Sequence, residues 1–469
     1  MKIKQLSLCR VPATMKDDLL SIGFSKTNLN KAIHFISLLK KKSSRQAKMY
    51  FSEVELPYVY LKKVYSSKFP LVINQLIDKG IVIRQDYYNP DKSICKKYSL
   101  AYKYFSKNTI LKKNTSSLSI DSSNIYSING SNTLVIDRVE WADLVFMSPL
   151  ISKNPATTGV SDYTKSLIKN LKFDAKKLRE EAKKIANEVD NLPFKIDDEI
   201  IDTHFEVSRL TGNSLTSFWV TLEKALDIAK YEGVSLIKDG SSFFLMNLQV
   251  YAAMKKDWVE DYNEECICKL EQGMVTASRN ETNNRLDSNF TNMDSRLLQI
   301  ILEDNGLVQI DLANSQFAIL ANLLPDTLSN KDTQLFKKRA KEGEFYEFIR
   351  SKLKISSRKE AKQSTFEMLF SSHKNKSPRI DKVNQALPEL MDFIKEYKVK
   401  NGSNQFAIWL QKYESHIFID GILNSLHKKR ILALSKHDSI ICKTRELDKV
   451  LSIIENVFSK NKFEGKLVY

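Results

Sequence analysis

Two aspartates in this sequence stand where a short apolar β run meets a turn. In DNGLVQIDLANSQFAILANLL, residues 304–324, the run Leu307 to Ile310 ends on Asp311 and passes through small polar residues into an apolar helix. In LALSKHDSIICK, residues 432–443, two short β runs, Leu432 to Leu434 and Ile440 to Cys442, flank Asp438. A buried carboxylate is costly unless it is paired or holds a metal, so Asp438 either points to solvent at a hairpin tip or belongs to a site. A strand end fixes such a side chain while the following loop leaves room for substrate. Two carboxylates presented this way could jointly hold a pair of divalent ions about 4 Å apart, the arrangement that serves in-line phosphoryl transfer.

Between them lies SSRKEAKQSTFEMLFSS, residues 356–372, which reads as a helix capped by Ser356 or Ser357. Arg358, Lys362, Phe366 and Phe370 recur every fourth residue. Each such step drifts about 40°, so the four share a stripe about 120° wide and about 18 Å long. Two cations followed by two aromatic rings suit a nucleoside triphosphate, the cations for its phosphates and the rings for sugar and base. The alternative is an ordinary amphipathic helix with its phenylalanines in a core and its cations in solvent.

The elements that position these residues belong to a chain of 469 residues, 42% of them hydrophobic. Length alone suggests roughly two to four domains with real cores. No apolar run is long enough to span a membrane, and MKIKQLSLCRVPA lacks the features of a signal peptide. The expected location is cytoplasmic. Five cysteines without a CxxC step indicate neither a disulfide framework nor a zinc site, and the close pair Cys266 and Cys268 reads as incidental. Charge is uneven. Residues 1–120 hold 23 basic and 7 acidic side chains, a net +16, whereas residues 121–469 hold 50 and 49. Such asymmetry points to a polyanionic partner, nucleic acid above all, against the simpler reading of a solubilising surface.

The basic segment also has a pattern. In YSSKFPLVINQLIDKGIVIRQDYYNPDKSICKKYSL, residues 65–100, Phe69, Val72, Ile73, Leu76 and Ile77 recur at helical spacing until Gly80. IVIRQDYY and ICKKYSL then read as a hairpin around NPDKS. A helix followed by a basic hairpin resembles a winged helix-turn-helix, with Lys92, Lys96 and Lys97 placed to contact phosphates. The same shape also serves protein contacts. Residues 106–132, rich in Ser, Asn and Lys, read as a linker or long loop. Residues 163–190 read as one long solvent-facing helix, and residues 204–260 continue as helices with Trp219, Phe243 and Phe244 in the core. The fold class expected is α+β, predominantly helical.

Taken in order, Asp311, then Arg358-x3-Lys362-x3-Phe366-x3-Phe370, then His437-Asp438 resembles motifs A, B and C of the family A DNA polymerases and the related single-subunit phage-type RNA polymerases. Upstream, NNRLDSNFTNM is similar to the segment that reads the minor groove beside the primer end, with Arg285 in the contacting position. Downstream, FAIWLQKYESHIFIDGIL is similar to the segment before motif C, with Gln411 facing the template. The match spans roughly residues 279–445.

The pattern of the basic segment gives a winged helix over 1–105 and composition gives a linker or long loop over 106–132; the resemblance implies palm and fingers over 279–469, with a helical thumb-like or connecting region over 133–278 between. It implies template-directed nucleotide transfer, with Asp311 and Asp438 holding two Mg²⁺ ions, for which Mn²⁺ is an accepted substitute. Lys362 would donate to the phosphates and to the leaving pyrophosphate, and Arg358 would clamp the γ-phosphate. Phe366, Phe370 and Gln316 would surround base and sugar, and His437 would contact the primer-end phosphodiester. The implied partners are template and primer, duplex DNA at the basic segment, and nucleoside triphosphates. The sequence departs from the family in reading Phe370-Ser371 for Tyr-Gly, Gln316 for Glu, and His437-Asp438-Ser439 for the His-Asp-Glu of the DNA branch. No proofreading nuclease pattern is visible. DNA synthesis without editing is the first expectation; an RNA polymerase-like enzyme and a non-catalytic initiator of polymerase shape are the alternatives.

Overall fold

The structure, a computed structural model, describes residues 6–47, 49–65, 69–85, 96–105, 108–112, 125–128, 132–136, 139–147, 158–189, 204–211, 214–239, 242–355, 357–374 and 377–469. The fold is α+β. The chain divides into two units, Met1–Lys153 with Ala175–Met274, and Asn154–Asp174 with Val275–Tyr469. This differs from the boundaries drawn on composition: the chain does not divide at 106–132, and most of 133–278 belongs with the N-terminal residues.

In the first unit, strand Leu6–Pro12 pairs antiparallel with Trp141–Met147. Helix Lys26–Ala47 is followed by strand Val54–Glu55, helices Tyr58–Tyr65 and Phe69–Asp78, and the antiparallel strands Val82–Gln85 and Lys97–Leu100. The three strands form one sheet with Lys97–Leu100 in the middle. The periodicity read from the sequence appears here as burial of Phe69, Val72, Ile73 and Leu76. Gly80, at φ +70°, ends the helix by letting the Ile81 amide return to the Leu76 carbonyl. Phe35 meets Tyr65, Phe69 and Tyr98 edge-on, tying the helices to the sheet.

Several expectations fail between residues 106 and 260. The stretch expected as a linker carries strands Asn108–Lys112 and Ile125–Ile128, which flank strand Asn132–Ile136 in one antiparallel sheet. The stretch expected as helices over 204–260 begins with strands Phe205–Thr211 and Ser214–Val220 and continues through helix Leu222–Glu232 into strands Ser235–Asp239 and Ser242–Met246. Helix Leu248–Glu271 follows. Trp219 is 67% exposed on its strand, whereas Phe243 and Phe244 are buried. The helix expected over 163–190 is two helices, Thr158–Lys169 and Ala175–Asn187. Within the second unit, the Lys172 amide donates to Asn305 Oδ1 at 2.9 Å, which holds the chain out of the helix at the break.

The second unit is built on a four-stranded antiparallel sheet in the order Ala433–Lys436, Ser439–Lys443, Leu307–Leu312, Leu467–Val468. Helices pack their apolar faces into one core with it, among them Ser315–Leu323, Phe345–Lys352, Arg358–Phe370, Pro388–Asn401 and Leu447–Lys460. Helix Ser403–Ser415 runs on through a π-helical stretch, His416–Leu423. No described helix is long and apolar enough to cross a membrane.

Candidate active site

Asp311 lies near the end of strand Leu307–Leu312, and Asp438 lies in the turn that leads into the neighbouring strand Ser439–Lys443. Asp311 stands opposite Ser439 in the register, and the Leu312 amide donates to the Asp438 carbonyl at 3.3 Å. Lys436 pairs with Ser439, so His437 and Asp438 are the two residues of the turn between strands. His437 sits at φ +56°, a conformation that costs a residue with a side chain about 1–2 kcal/mol. Asp438 does not project into solvent: it is half-buried, and burial pushes its carboxyl pKa up. The negative charge of Asp311 adds to that shift, while the Ser315 hydroxyl and Arg285 oppose it. The Ser439 hydroxyl is turned inward, donating to the Lys436 carbonyl at 2.8 Å.

Arg285 does not reach out freely. Its Nε and Nη2 each donate to Glu414 at 2.8 Å, forming a two-pronged pair with a carboxylate 1% exposed. Gln316 Nε2 donates to the same carboxylate. Burial raises the Glu414 pKa to about 7, with Arg285 and Gln316 pulling it down and Asp438 pushing it up. Gln411 Oε1 accepts from Asn283 Nδ2 at 3.0 Å, and Ser415 Oγ donates to the Asn283 carbonyl at 3.1 Å, so the residues before Arg285 are fastened to the same helix. Glu414 was missed in the sequence, although Phe406, Leu410, Glu414 and Ile417 follow one apolar helical stripe and the carboxylate interrupts it. Glu414→Ala leaves a guanidinium without its counter-charge, and the variant should lose about 3 kcal/mol of stability in denaturant titration. Glu414→Gln should lose less.

Helix Arg358–Phe370 is capped by Ser357, whose hydroxyl accepts from the Glu360 amide at 3.1 Å. Arg358 and Lys362 are exposed, and no described carboxylate pairs with Lys362. The Arg358 guanidinium lies 5.1 Å over the Tyr346 ring and 3.5 Å from Glu347. Phe366 and Phe370 stack at 5.4 Å with 16° between their planes, and Phe370 is 38% exposed. Tyr346 lies between this helix and Asp438: burial raises its pKa to about 12, Arg358 lowers it and Asp438 raises it, so its hydroxyl is within electrostatic reach of both. Lys436 also escaped notice in the sequence. Burial lowers its pKa, and the charges of Asp311 and Asp294 oppose that fall.

Buried polar atoms without partners are rare in folded proteins and call for a reason. Asn314 Nδ2, Gln316 Oε1, Ser435 Oγ and His437 Nδ1 are all buried and unpartnered, and all belong to residues no more than five positions from Asp311 or Asp438. Burial also lowers the His437 pKa, so the ring is neutral near pH 7. The site therefore combines two carboxylates, a cationic helix face and several polar atoms without protein partners.

The proposed phosphate contacts of the basic hairpin fare differently. Lys92 lies outside the described residues. Lys97 is 3.7 Å from Glu53, an ion pair that turns it from solvent phosphate toward the fold. Lys96 borders a cavity of about 480 Å³ lined by Leu56, Phe69 and Tyr98 among others. Burial raises the Cys266 and Cys268 thiols to about 12 and about 11. Glu264, Cys268 and Glu271 bring ligand atoms within 4.8 Å of one another. The Arg179 guanidinium already pairs with both carboxylates, with Nε 2.8 Å from Glu264 and Nη1 3.1 Å from Glu271.

Set against known protein families and characterised proteins, the sequence matches none.

Proposed function

We propose that this chain is a template-directed nucleotidyltransferase, its second unit a palm-and-fingers core and its first unit built around a winged helix that grips nucleic acid. The observation that carries the proposal is the placing of Asp438, in the turn just before Ser439, beside the strand end at Asp311, which stands opposite Ser439, with the Asp438 acid raised by burial and by its neighbour's charge. Carboxylates arranged this way favour bound cations, which relieve their repulsion. All-oxygen donors suit a hard ion, so Asp311 and Asp438 would hold Mg²⁺ or Mn²⁺. When bound, such ions supply Lewis-acid polarisation and a more acidic attacking hydroxyl.

The chain's own groups do the rest. Lys362 and Arg358, exposed on one helix face, bind and orient the triphosphate, and Lys362 stands ready to donate to the departing pyrophosphate. Phe366 and Phe370 offer a stacked apolar surface to base and sugar. Arg285, oriented by Glu414, together with neutral His437 and Gln411, would hold the primer end and template. The test is extension of a labelled primer on a template with dNTPs or NTPs, with and without Mg²⁺. Metal-dependent, template-directed addition is expected; a protein that binds primed template and adds nothing under either condition would be the non-catalytic alternative.

The winged-helix reading rests on the order helix, strand, two helices, hairpin and on the sheet with the hairpin's second strand in its centre. Its test is charge reversal, because removing residues 1–120 would also remove much of the first unit's core, from Val11 to Phe105. Lys62 and Lys63 are exposed on helix Tyr58–Tyr65. Lys62→Glu with Lys63→Glu should weaken duplex binding and flatten the plot of log affinity against log salt by about 0.9 for each phosphate no longer neutralised. An unchanged slope would remove that helix from the interface.

A further inference from the structure

The last turn of an α-helix leaves carbonyl oxygens that no later helical amide can satisfy. In helix Arg358–Phe370 the Ser371 amide returns to the Glu367 carbonyl at 2.9 Å. Beyond it, Lys398 of helix Pro388–Asn401 takes over: its Nζ donates to the Met368 carbonyl at 2.7 Å and to the Ser371 carbonyl at 2.8 Å. Lys398 is 3% exposed. No described carboxylate pairs with it, and the nearest ring face, that of Phe406, is 6.0 Å from the nitrogen. Burial alone lowers its pKa, to about 8.

An ammonium in such a place is expensive, and an apolar side chain of similar size would often be as stable or more so. Its location offers the better account. A cation at the C-terminal end of a helix meets the negative end of the helix dipole, and this helix carries Arg358, Lys362, Phe366 and Phe370. The opposite end lies in solvent, with the Arg358 side chain 62% exposed. The helix is therefore fastened from inside the protein at its aromatic end.

We infer that Lys398 is a positioning residue: it fixes the C-terminal turn of the cationic helix and thereby the Phe366–Phe370 pair on which base and sugar would rest. The inference builds on the nucleotide-binding reading of that helix, but one of its readouts does not depend on activity. Full-length wild type, Lys398→Met and Lys398→Arg are compared by hydrogen-exchange mass spectrometry and by single-nucleotide incorporation on primed template. In Lys398→Met, amides over residues 367–372 should exchange about tenfold faster, while those of strand Leu307–Leu312 are unchanged. The KM for nucleotide should rise about tenfold with kcat within about twofold of wild type. Lys398→Arg, which keeps the charge and the donors, should recover a substantial part of both effects. Unchanged exchange over 367–372 in Lys398→Met overturns the fastening. Faster exchange with an unchanged KM overturns the positioning role. Faster exchange throughout the second unit, with a fallen melting temperature, also overturns it, because the lysine would then serve general stability. If wild type incorporates no nucleotide, the polymerase reading fails separately, and the exchange measurement still decides the fastening.

Discussion

Asp438→Asn should lower nucleotide incorporation by at least about a thousandfold, equivalent to about 4 kcal/mol of transition-state stabilisation. Asp311→Asn should do the same. Neither change alters side-chain size, and both keep a polar oxygen at the strand end, so primed-template binding should stay within a few-fold of wild type. Stability supplies an independent check. The Asp438 pKa is raised in the folded protein, so its contribution to stability is present at low pH and is lost as pH rises through the folded value. Because burial disfavours its charged form, Asp438→Asn should melt at the wild-type temperature or above it at neutral pH. Added Mg²⁺ should raise the wild-type melting temperature by binding the folded state alone and should raise that of the Asn variants much less. Wild-type turnover by the double Asn variant in Mg²⁺ would remove both residues from the chemistry.

Deoxynucleotides should be incorporated faster than ribonucleotides, and Gln316→Ala or Gln316→Gly should relax the preference by about 10- to 100-fold. Gln316 is 8% exposed and cannot easily swing aside, because its amide nitrogen is held by Glu414 and Glu414 is held by Arg285. A 2′-hydroxyl arriving at this side chain would meet a fixed obstruction. Phe370 offers no phenolic hydroxyl that a ribose could use. A site that only crowds a hydroxyl rejects it by a more variable margin than one that hydrogen-bonds it, hence the broad range. The opposite result has a structural basis of its own: Gln316 Oε1 is buried without a donor, and a ribose hydroxyl could supply one. Competition of dNTPs with NTPs in one reaction decides between them; faster NTP addition by the wild type would make Gln316 a ribose contact and favour the proposed RNA polymerase-like alternative.

The parts of the second unit that were legible are those whose signals are local. Asp438 was readable as lying between strands because the short apolar runs Leu432 to Leu434 and Ile440 to Cys442 flank it, and the strands there run Ala433–Lys436 and Ser439–Lys443. The cationic helix begins where Ser357 can cap it. What the sequence hid depends on long-range packing. Glu414 draws its significance from Arg285, 129 residues away in the chain. Tyr346 has meaning only once Arg358 and Asp438 both stand near it. Strands over 205–246 were read as helices because their apolar residues, Phe243 and Phe244 for example, come in short runs that fit either period. Trp219, expected in the core with Phe243 and Phe244, is presented outward by its strand.

The division of the chain bears on how the protein is made. Its polypeptide leaves the first unit after Lys153, contributes Asn154–Asp174 to the second, returns for Ala175–Met274 and leaves again. Strand Leu6–Pro12 has its partner at Trp141–Met147, and Arg10 reaches its buried counter-charge only at Asp261, 251 residues later. A ribosome adds about 5–20 residues each second, so the earliest segments wait on the order of ten seconds or more for Asp261 to be synthesised. Through that interval Val11, Phe35 and Leu39, all destined for full burial, have an incomplete core to enter. Contacts so distant in sequence also slow folding once synthesis ends, because loop closure must precede any gain from pairing. Nascent chains halted shortly before residue 261 should consequently be far more open to protease, and more dependent on chaperones, than chains halted after residue 274.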